Sequence, residues 1–211
     1  METSASIHHG PYESIPSSAS PGLRFLQRLL PALDTLDPTD HPIGPLFTPN
    51  APVLIGSNPP SAASQAVPLL EVRSRHLERF HHHLHVAWDL DLSHDSGPDH
   101  TSYSYPTTAA DGEGHIDAEQ SDLYAPLRGN IRMKRTVMFE ATCETVFKND
   151  PDQFPVKVRE FNVVDLEGRD ESDLQVVEMR IFMDSRPVQA RAASLQMESA
   201  FGESQREADP G

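Results

Sequence analysis

Apolar side chains recur every three or four residues in two early segments, which is the spacing of a helix with one buried face. The first segment carries Leu23, Leu26, Leu30 and Leu33. Pro31 interrupts this stripe, and we expect a kink or two short helices there. The second segment, residues 66–80, predicts an amphipathic helix with Arg73 on its apolar side. Between them, residues 46–56 are typical of a strand or strand pair bounded by prolines.

Four later segments alternate apolar and polar side chains, which predicts half-buried strands. The expected inward sets are His82, Leu84, Val86, Trp88, Leu90 and Leu92; Met133, Val137, Phe139, Ala141, Cys143 and Phe147; Val156, Val158, Val164 and Leu166; and Val177, Met179, Ile181 and Met183. A helix that begins near Pro187 closes the pattern. Because no helix separates the four strands, the order predicts an α+β fold with a bent, mostly antiparallel sheet over N-terminal helices.

Three segments lack any apolar period. Residues 1–20 and 202–211 are predicted to be disordered tails, and residues 93–126 are predicted to be a disordered acidic insert. The insert cannot bury enough apolar surface to offset the entropy lost on ordering it. We therefore expect one domain at 21–201 that this insert interrupts.

Charge and composition narrow the class of protein. The 211-residue chain has a formal net charge of −15, which disfavours binding to nucleic acids and to anionic membranes. It has one cysteine, and no apolar run approaches the length of a membrane span. The N-terminus lacks the basic start and apolar core of a secretory signal. We expect a soluble, cytoplasmic protein.

Several segments together resemble the NTF2-like superfamily, whose cone-shaped fold is shared by ketosteroid isomerase, scytalone dehydratase and SnoaL-type polyketide cyclases. They are LLPALDTLDP (29–38), LFTPNAPVLIG (46–56), LLEVRSRHLERFHHHLHVAWDLDL (69–92), TVMFEATCETVFKNDPDQFPVKVREFNVVDLEG (136–168) and VEMRIFMDSRPVQAR (177–191). More narrowly, the chain is similar to small fungal NTF2-like proteins. The resemblance implies an NTF2-like cone.

The resemblance also implies two functional hypotheses. The first is a cofactor-independent isomerase, dehydratase or cyclase that accompanies a fungal pathway to polyketide- or terpenoid-like compounds and binds a small apolar ligand. The second is a non-catalytic ligand carrier or an adaptor that forms a homodimer through the outer sheet face. The catalytic tyrosines of ketosteroid isomerase and scytalone dehydratase have no counterpart in the predicted strands. The four tyrosines of this chain all lie in the predicted tail or insert: Tyr12, Tyr103, Tyr105 and Tyr124.

Glu160 is the strongest candidate for a catalytic residue. It falls in register with the inward valines of its strand, as does Asn162. A carboxylate inside a cone is costly without a partner, so it serves either as a general acid or base or as half of a buried ion pair. Arg73 is the expected partner in the second case. A third alternative is a bulge in the strand, which would turn Glu160 outward. All three interpretations are open from the sequence.

The histidine run at residues 81–85 is the most conspicuous motif. His82 shares the apolar face. It is interpreted either as a core histidine with satisfied hydrogen bonds at a helix end or as a second candidate acid–base residue, with Trp88 and Phe139 lining the same pocket. The alternate histidines, His81, His83 and His85, with Asp89 further along, have the spacing of a weak metal motif. They face away from the pocket, so we expect a solvated or dimer-facing strand and no metal site.

Two further groups are expected to be structural. Cys143 is in register with inward phenylalanines and is interpreted as a small buried hydrophobic residue. On the last strand Glu178, Arg180 and Asp184 alternate, and they are expected to form a charge ladder on the outer face with Lys157 and Arg159.

Deletion of residues 93–126 tests the prediction of a disordered insert. Because the insert is expected to pack on nothing, its removal should shift the thermal unfolding midpoint by little. Calorimetry of the full chain and of the deletion variant measures this. A fall of several degrees would contradict the prediction.

Overall fold

The computed structural model describes residues 4–93 and 132–207, with side chains up to residue 198. The acidic insert predicted at 93–126 lies outside this part of the chain, apart from Ser93. No helix among the described residues is long and apolar enough to cross a membrane.

The described elements are three α-helices and one seven-stranded sheet. In chain order they are β1 Ala5–His9, α1 Pro21–Asp34, β2 Pro52–Ile55, β3 Ser61–Ala62, α2 Ala63–Glu71, β4 Leu77–Asp91, β5 Met133–Phe147, β6 Val156–Gly168, β7 Gln175–Met183 and α3 Arg186–Glu207. The strand order is β1-β4-β5-β6-β7-β2-β3, and every pairing is antiparallel except that of β2 with β7. The predicted α+β class and mostly antiparallel sheet are confirmed.

Helix α1 is continuous, so the alternative of two short helices at Pro31 is wrong. The four leucines of the predicted stripe are buried, and Pro21 stands in the first turn, where its missing N–H is not needed. Pro31 lies in the last turn and forfeits one backbone hydrogen bond. The apolar stripe packs on the sheet along the full helix and holds that turn in helical form.

The N-terminal segment is ordered from residue 4, which corrects the predicted tail at 1–20. Strand β1 pairs with β4, with Ile7 opposite Trp88. Tyr12 and Ile15 are buried just after it. The backbone groups of β1 hydrogen-bond to the edge of β4, and such pairing requires no apolar periodicity in the added strand.

Two β-bulges shift the predicted registers. Between Leu84 and Val86 the pairing of β4 with β5 slips by one residue, so Ala87 and Asp89 face inward. Trp88 therefore lies on the outer face, where its ring centroid is 6.5 Å from that of Phe161, and its assignment to the pocket is wrong. A second slip in β7 makes Val176 the buried residue in place of the predicted Val177.

Helix boundaries differ from prediction at two places. The helix expected at 66–80 ends at Glu71, and β4 begins at Leu77. Helix α3 continues to Glu207, so the tail predicted at 202–211 is wrong for its first six residues. The registers of β5 and β6 are as predicted, with Phe139 and Val158 buried on the inner face.

The inner face of the sheet carries two separate apolar clusters. The larger lies under α1 and includes Leu84, Ala141 and Val164. The smaller lies under α3, where Val156 and Val158 pack with Leu195. The residues between the two clusters on β4 and β6 are polar.

A buried ion pair fastens the first turn of α1 to the sheet. Asp89 accepts hydrogen bonds from the Gly22 backbone N–H at 2.9 Å and from Arg135 Nε at 2.8 Å, and its side chain is fully buried. A Cβ on Gly22 would collide with that carboxylate and lie 2.6 Å from Val137 Cγ2. Only glycine permits this approach of helix to strand.

Asp89→Asn should lower the free energy of unfolding by about 3–5 kcal/mol, because it weakens the compensation of a buried guanidinium. The matched control is Asp91→Asn, since Asp91 binds the same Arg135 but is partly exposed and should cost about 1 kcal/mol or less. Urea unfolding measures both variants. Equal losses of unfolding free energy in the two variants would contradict the assignment of Asp89 as the main buried partner of Arg135.

Candidate acid–base site

Four polar side chains form a row across the inner face between the two apolar clusters. We name this row the polar layer; it consists of Asp34, His82, Glu160 and Asn162. Asp34 is the last residue of α1, His82 comes from β4, and the other two come from β6. His82, Glu160 and Asn162 are all buried. The alternation of β6 places its two members on the inner face, as the sequence predicted.

His82 lies between two carboxylates. Its Nδ1 donates to Asp34 Oδ1 at 2.5 Å, and its Nε2 lies 3.2 Å from Glu160 Oε1. The His82 backbone N–H also donates to Asp34 Oδ1, at 3.0 Å. Asn162 Nδ2 donates to Glu160 Oε1 at 2.9 Å. With an acceptor at each ring nitrogen, the imidazolium form of His82 is the one that satisfies both contacts.

The expected ion pair between Arg73 and Glu160 is absent from the described side chains. Because α2 ends early, Arg73 lies in a short 3₁₀ turn and donates to the carbonyls of Leu33 and Thr35. Its guanidinium also stacks over the Phe80 ring, 4.3 Å from the centroid. Arg73 thus binds the carbonyl end of α1, and His82 is the cationic partner of Glu160.

Asp34 stands at a helix end that disfavours negative charge, since the carbonyls there carry partial negative charge. Two residues outside the polar layer contact the Asp34 carboxylate and offset this unfavourable interaction. The Tyr12 hydroxyl donates to Asp34 Oδ2 at 3.0 Å, and His81 Nδ1 lies 2.8 Å from the same oxygen. Both approach from the N-terminal side of β4, where β1 no longer pairs and the strand edge is open.

The pKa shifts follow from this geometry. Burial by itself would lower the pKa of His82, but hydrogen bonds and charge from Asp34 and Glu160 outweigh it and raise that pKa to about 9. Burial, with the charge of Asp34, raises the pKa of Tyr12. Burial lowers the pKa of Arg73 to about 10.

Cys143 adjoins the polar layer. It pairs with His82 across β4 and β5, and its sulfur lies within 4.8 Å of a donor nitrogen of His82 and a carboxylate oxygen of Glu160. Burial, followed by the charge of Glu160, raises the pKa of its thiol to about 12. The thiol is therefore protonated at neutral pH. The predicted burial of Cys143 is confirmed. Its role as an apolar core residue is not, because its sulfur lies beside the polar side chains of His82 and Glu160.

The remaining candidates lie elsewhere. Phe139 is buried beside the polar layer, directly opposite Asn162. His83 and His85 lie on the outer face as predicted, near Glu144 and Thr142 respectively.

The predicted outer-face charge ladder has different partners. Arg180 binds Glu178 at 2.6 Å and Asp165 at 3.3 Å, whereas Lys157 binds Glu144 at 3.2 Å.

Asp34, Tyr12 and His81 were not predicted as site residues. Asp34 belongs to a turn-like run of Asp, Thr and Pro, which gives no sign that its carboxylate faces the sheet. Tyr12 lies in a Ser- and Pro-rich stretch. His81 was assigned to the outer face by alternation, and only the open strand edge lets its ring reach Asp34.

An open groove runs between α3 and the turn that follows β5. It has a volume of about 610 Å³ and is lined by apolar Phe147, Ala192 and Leu195 and by basic Arg75, His76 and Lys148, among others. Phe147 follows Cys143 by four residues on β5, which is roughly 13 Å along a strand. The groove therefore opens further along β5 from the polar layer, and no member of the polar layer lines it.

Comparison with known proteins gives structural likenesses only. No protein-family model matches the chain. No curated protein matches it. Among solved structures it is similar to a protein described as a SnoaL-like polyketide cyclase from Jannaschia sp. CCS1, with 14% identity, a TM-score of 0.42 and coverage of 80% of this chain and 89% of that one.

The chain is also similar to Rd1NTF2_04 with long sheet, with 15% identity, a TM-score of 0.36 and coverage of 75% of this chain and 96% of that one. Both TM-scores are below 0.5, so neither assigns an activity to this chain.

The raised pKa of His82 predicts a pH-dependent stability. A group whose pKa is higher in the folded state stabilises fully below its unfolded pKa and ceases to do so as the pH rises through its folded pKa. The stabilisation should therefore be complete below pH 6.5 and should decline up to pH 9 by roughly 3 kcal/mol. Urea unfolding across this range measures it.

His82→Gln is the matched variant, because it keeps hydrogen-bonding groups but does not titrate. Its stability should vary less with pH than that of the wild type between pH 6.5 and 9. Parallel pH profiles for the two proteins would contradict the prediction.

Proposed function

We propose that this protein binds a small molecule and transfers protons on it through the polar layer, as a cofactor-independent isomerase, lyase or cyclase. The observation that carries the proposal is the position of His82, which is buried between two carboxylates and within 3.2 Å of Glu160 Oε1. Titratable groups held in this way are enriched at catalytic sites. His82 is the histidine that contacts both carboxylates, whereas His81 contacts Asp34 alone.

Each member of the layer has a separate task in this proposal. Glu160 is the base that removes a proton from the substrate, and Asn162 orients its carboxylate. His82 supplies a cationic N–H that stabilises the developing negative charge, and protonated Glu160 then returns its proton to the product. Asp34 holds the imidazole ring in place through Nδ1 and acts as a positioning residue.

The chemistry suited to this pair is proton abstraction beside a carbonyl group. Such a step needs a carboxylate base and a hydrogen-bond donor near the enolate oxygen. We propose polyketide- or terpenoid-like ketones as the substrate class, with the groove beside α3 as the entrance. Its apolar walls and basic rim suit an apolar molecule with an acidic or enolic group.

A non-catalytic role has one specific observation in its favour. Trp88, Phe161 and Phe182 form an aromatic row on the outer face, and Phe182 is 54% exposed. An exposed apolar row on a sheet suits association with another protein surface. This is the second candidate function, that of an adaptor or carrier which forms a homodimer through the outer face.

Hydrogen–deuterium exchange tests the catalytic proposal without knowledge of the natural substrate. Cyclic β,γ-unsaturated ketones and 1,3-diketones are incubated with the protein in D₂O, and loss of the α-proton signal is followed by NMR. The wild type should exchange at least one probe faster than buffer does. Glu160→Gln should lower that rate by roughly 100-fold or more, because a general base typically contributes about 10²–10⁴-fold.

Glu144→Gln is the control, since Glu144 is a carboxylate of the outer face that binds Lys157 and lies outside the site. It should retain the wild-type exchange rate. Exchange that is equally fast in the wild type and in Glu160→Gln, or no exchange by the wild type on any probe, contradicts the proposal.

A further inference from the structure

We propose that His82, Cys143 and Glu160 form a binding site for one divalent transition-metal ion of the zinc type. The three residues lie on adjacent strands β4, β5 and β6, and all are buried. One donor atom from each lies within 4.8 Å of the other two. This proposal goes beyond the proposed acid–base function and does not depend on it.

The strand registers explain why the three donors meet. His82 is directly opposite Cys143, and Cys143 is opposite Val158, two residues before Glu160 on the same face. Directly opposite and diagonal neighbours on one sheet face are the pairs whose side chains come into contact. The pairing of β4 with β5 and of β5 with β6 thus brings the three donors together.

The donor set matches the preferences of zinc. An imidazole nitrogen, a thiolate sulfur and a carboxylate oxygen are its usual protein ligands, at about 2.0–2.3 Å from the metal. Such bond lengths place tetrahedral ligands about 3.3–3.8 Å apart. His82 Nε2 and Glu160 Oε1 are already 3.2 Å apart, so modest side-chain movement completes the set. Three protein ligands leave a fourth position open.

The surroundings of the donors are those of a metal centre. A histidine ligand usually donates its second N–H to a carboxylate, which orients the ring, and Asp34 accepts from His82 Nδ1 at 2.5 Å. A ligating carboxylate is in turn usually hydrogen-bonded, and Asn162 donates to Glu160 at 2.9 Å.

Charge balance is compatible with a bound ion. Binding displaces one proton from the imidazolium and one from the thiol, because only the deprotonated groups coordinate. Replacement of two protons by one divalent ion leaves the net charge of the cluster unchanged. The ion would also occupy the lone pairs of His82 and Glu160, so metal binding and proton transfer by this pair exclude one another.

Cobalt and zinc titrations of the full-length protein test the site. After dialysis against a chelator, Co²⁺ should bind at one equivalent and give a near-ultraviolet thiolate-to-cobalt charge-transfer band, which Zn²⁺ then removes. Cys143 is the sole cysteine of the chain, so that band reports this site alone. Cys143→Ser should abolish the band and weaken Zn²⁺ binding by at least about tenfold, as loss of a ligand does.

Two further variants complete the design. Glu160→Gln should also weaken Zn²⁺ binding while retaining the sulfur band at higher Co²⁺ concentration, and it covers the case in which Cys143→Ser does not fold. A His83→Gln, His85→Gln double variant removes the histidines of the outer face and should bind both ions like the wild type. The double variant separates this site from the histidine run.

Absence of the thiolate band in the wild type at stoichiometric Co²⁺ would overturn the proposal. So would unchanged Zn²⁺ affinity in Glu160→Gln. Since these titrations use the metal alone and no substrate, they report on the metal site whether or not the exchange assay detects catalysis.

Discussion

The negative charge of Asp34 at the carbonyl end of α1 is the constraint on which the inner face of this protein depends. A carboxylate there is disfavoured by the helix and by burial, and it persists only because donors converge on it. His82 donates twice, through its ring and its backbone, and Tyr12 donates once. Arg73 binds the neighbouring carbonyls. Three separate parts of the chain are thereby fastened to one helix end.

This arrangement explains why the apolar interior is divided. A polar row inside a sheet is tolerated only when nearly every member is hydrogen-bonded, and the bonds of the polar layer run along the row from Asp34 to Asn162. The cluster under α1 and the cluster under α3 lie on either side of it. Replacement of buried ion pairs by well-packed apolar side chains is often neutral or stabilising, so stability alone does not require this row, and the proposed acid–base role gives a reason for it.

The sequence predicted the site only where side-chain alternation runs unbroken. On β5 and β6 the period of two holds, so Glu160, Asn162 and Phe139 were placed correctly. On β4 a bulge after Leu84 reverses the alternation. Trp88 therefore faces outward and Asp89 faces inward, each opposite to the prediction. Bulges depend on the local pairing geometry and leave little trace in composition.

Contacts that join distant segments could not be predicted at all. The burial of Tyr12 follows from backbone pairing of β1 with β4, which is independent of side-chain pattern. Arg73 was correctly judged to need a partner, but its partner depends on where α2 ends, and that end moved it from the sheet toward α1. Both errors concern the C-terminal end of α1, where Tyr12 binds the Asp34 carboxylate and Arg73 binds the carbonyls of Leu33 and Thr35, and these contacts arise only after α1 docks on the sheet.

The polar layer requires positive charge at its centre, and the identity of that charge decides its chemistry. Asp34 and Glu160 face the two nitrogens of one imidazole, so an extra proton on His82 satisfies both. A proton is mobile, and a site that holds it can pass it to a bound molecule. A metal ion on the same nitrogen would satisfy Glu160 equally well and would draw in Cys143, the nearest soft ligand. In the two proposals the same geometry serves two different cations, and the cation at the centre determines whether Glu160 is free to act as the proposed base.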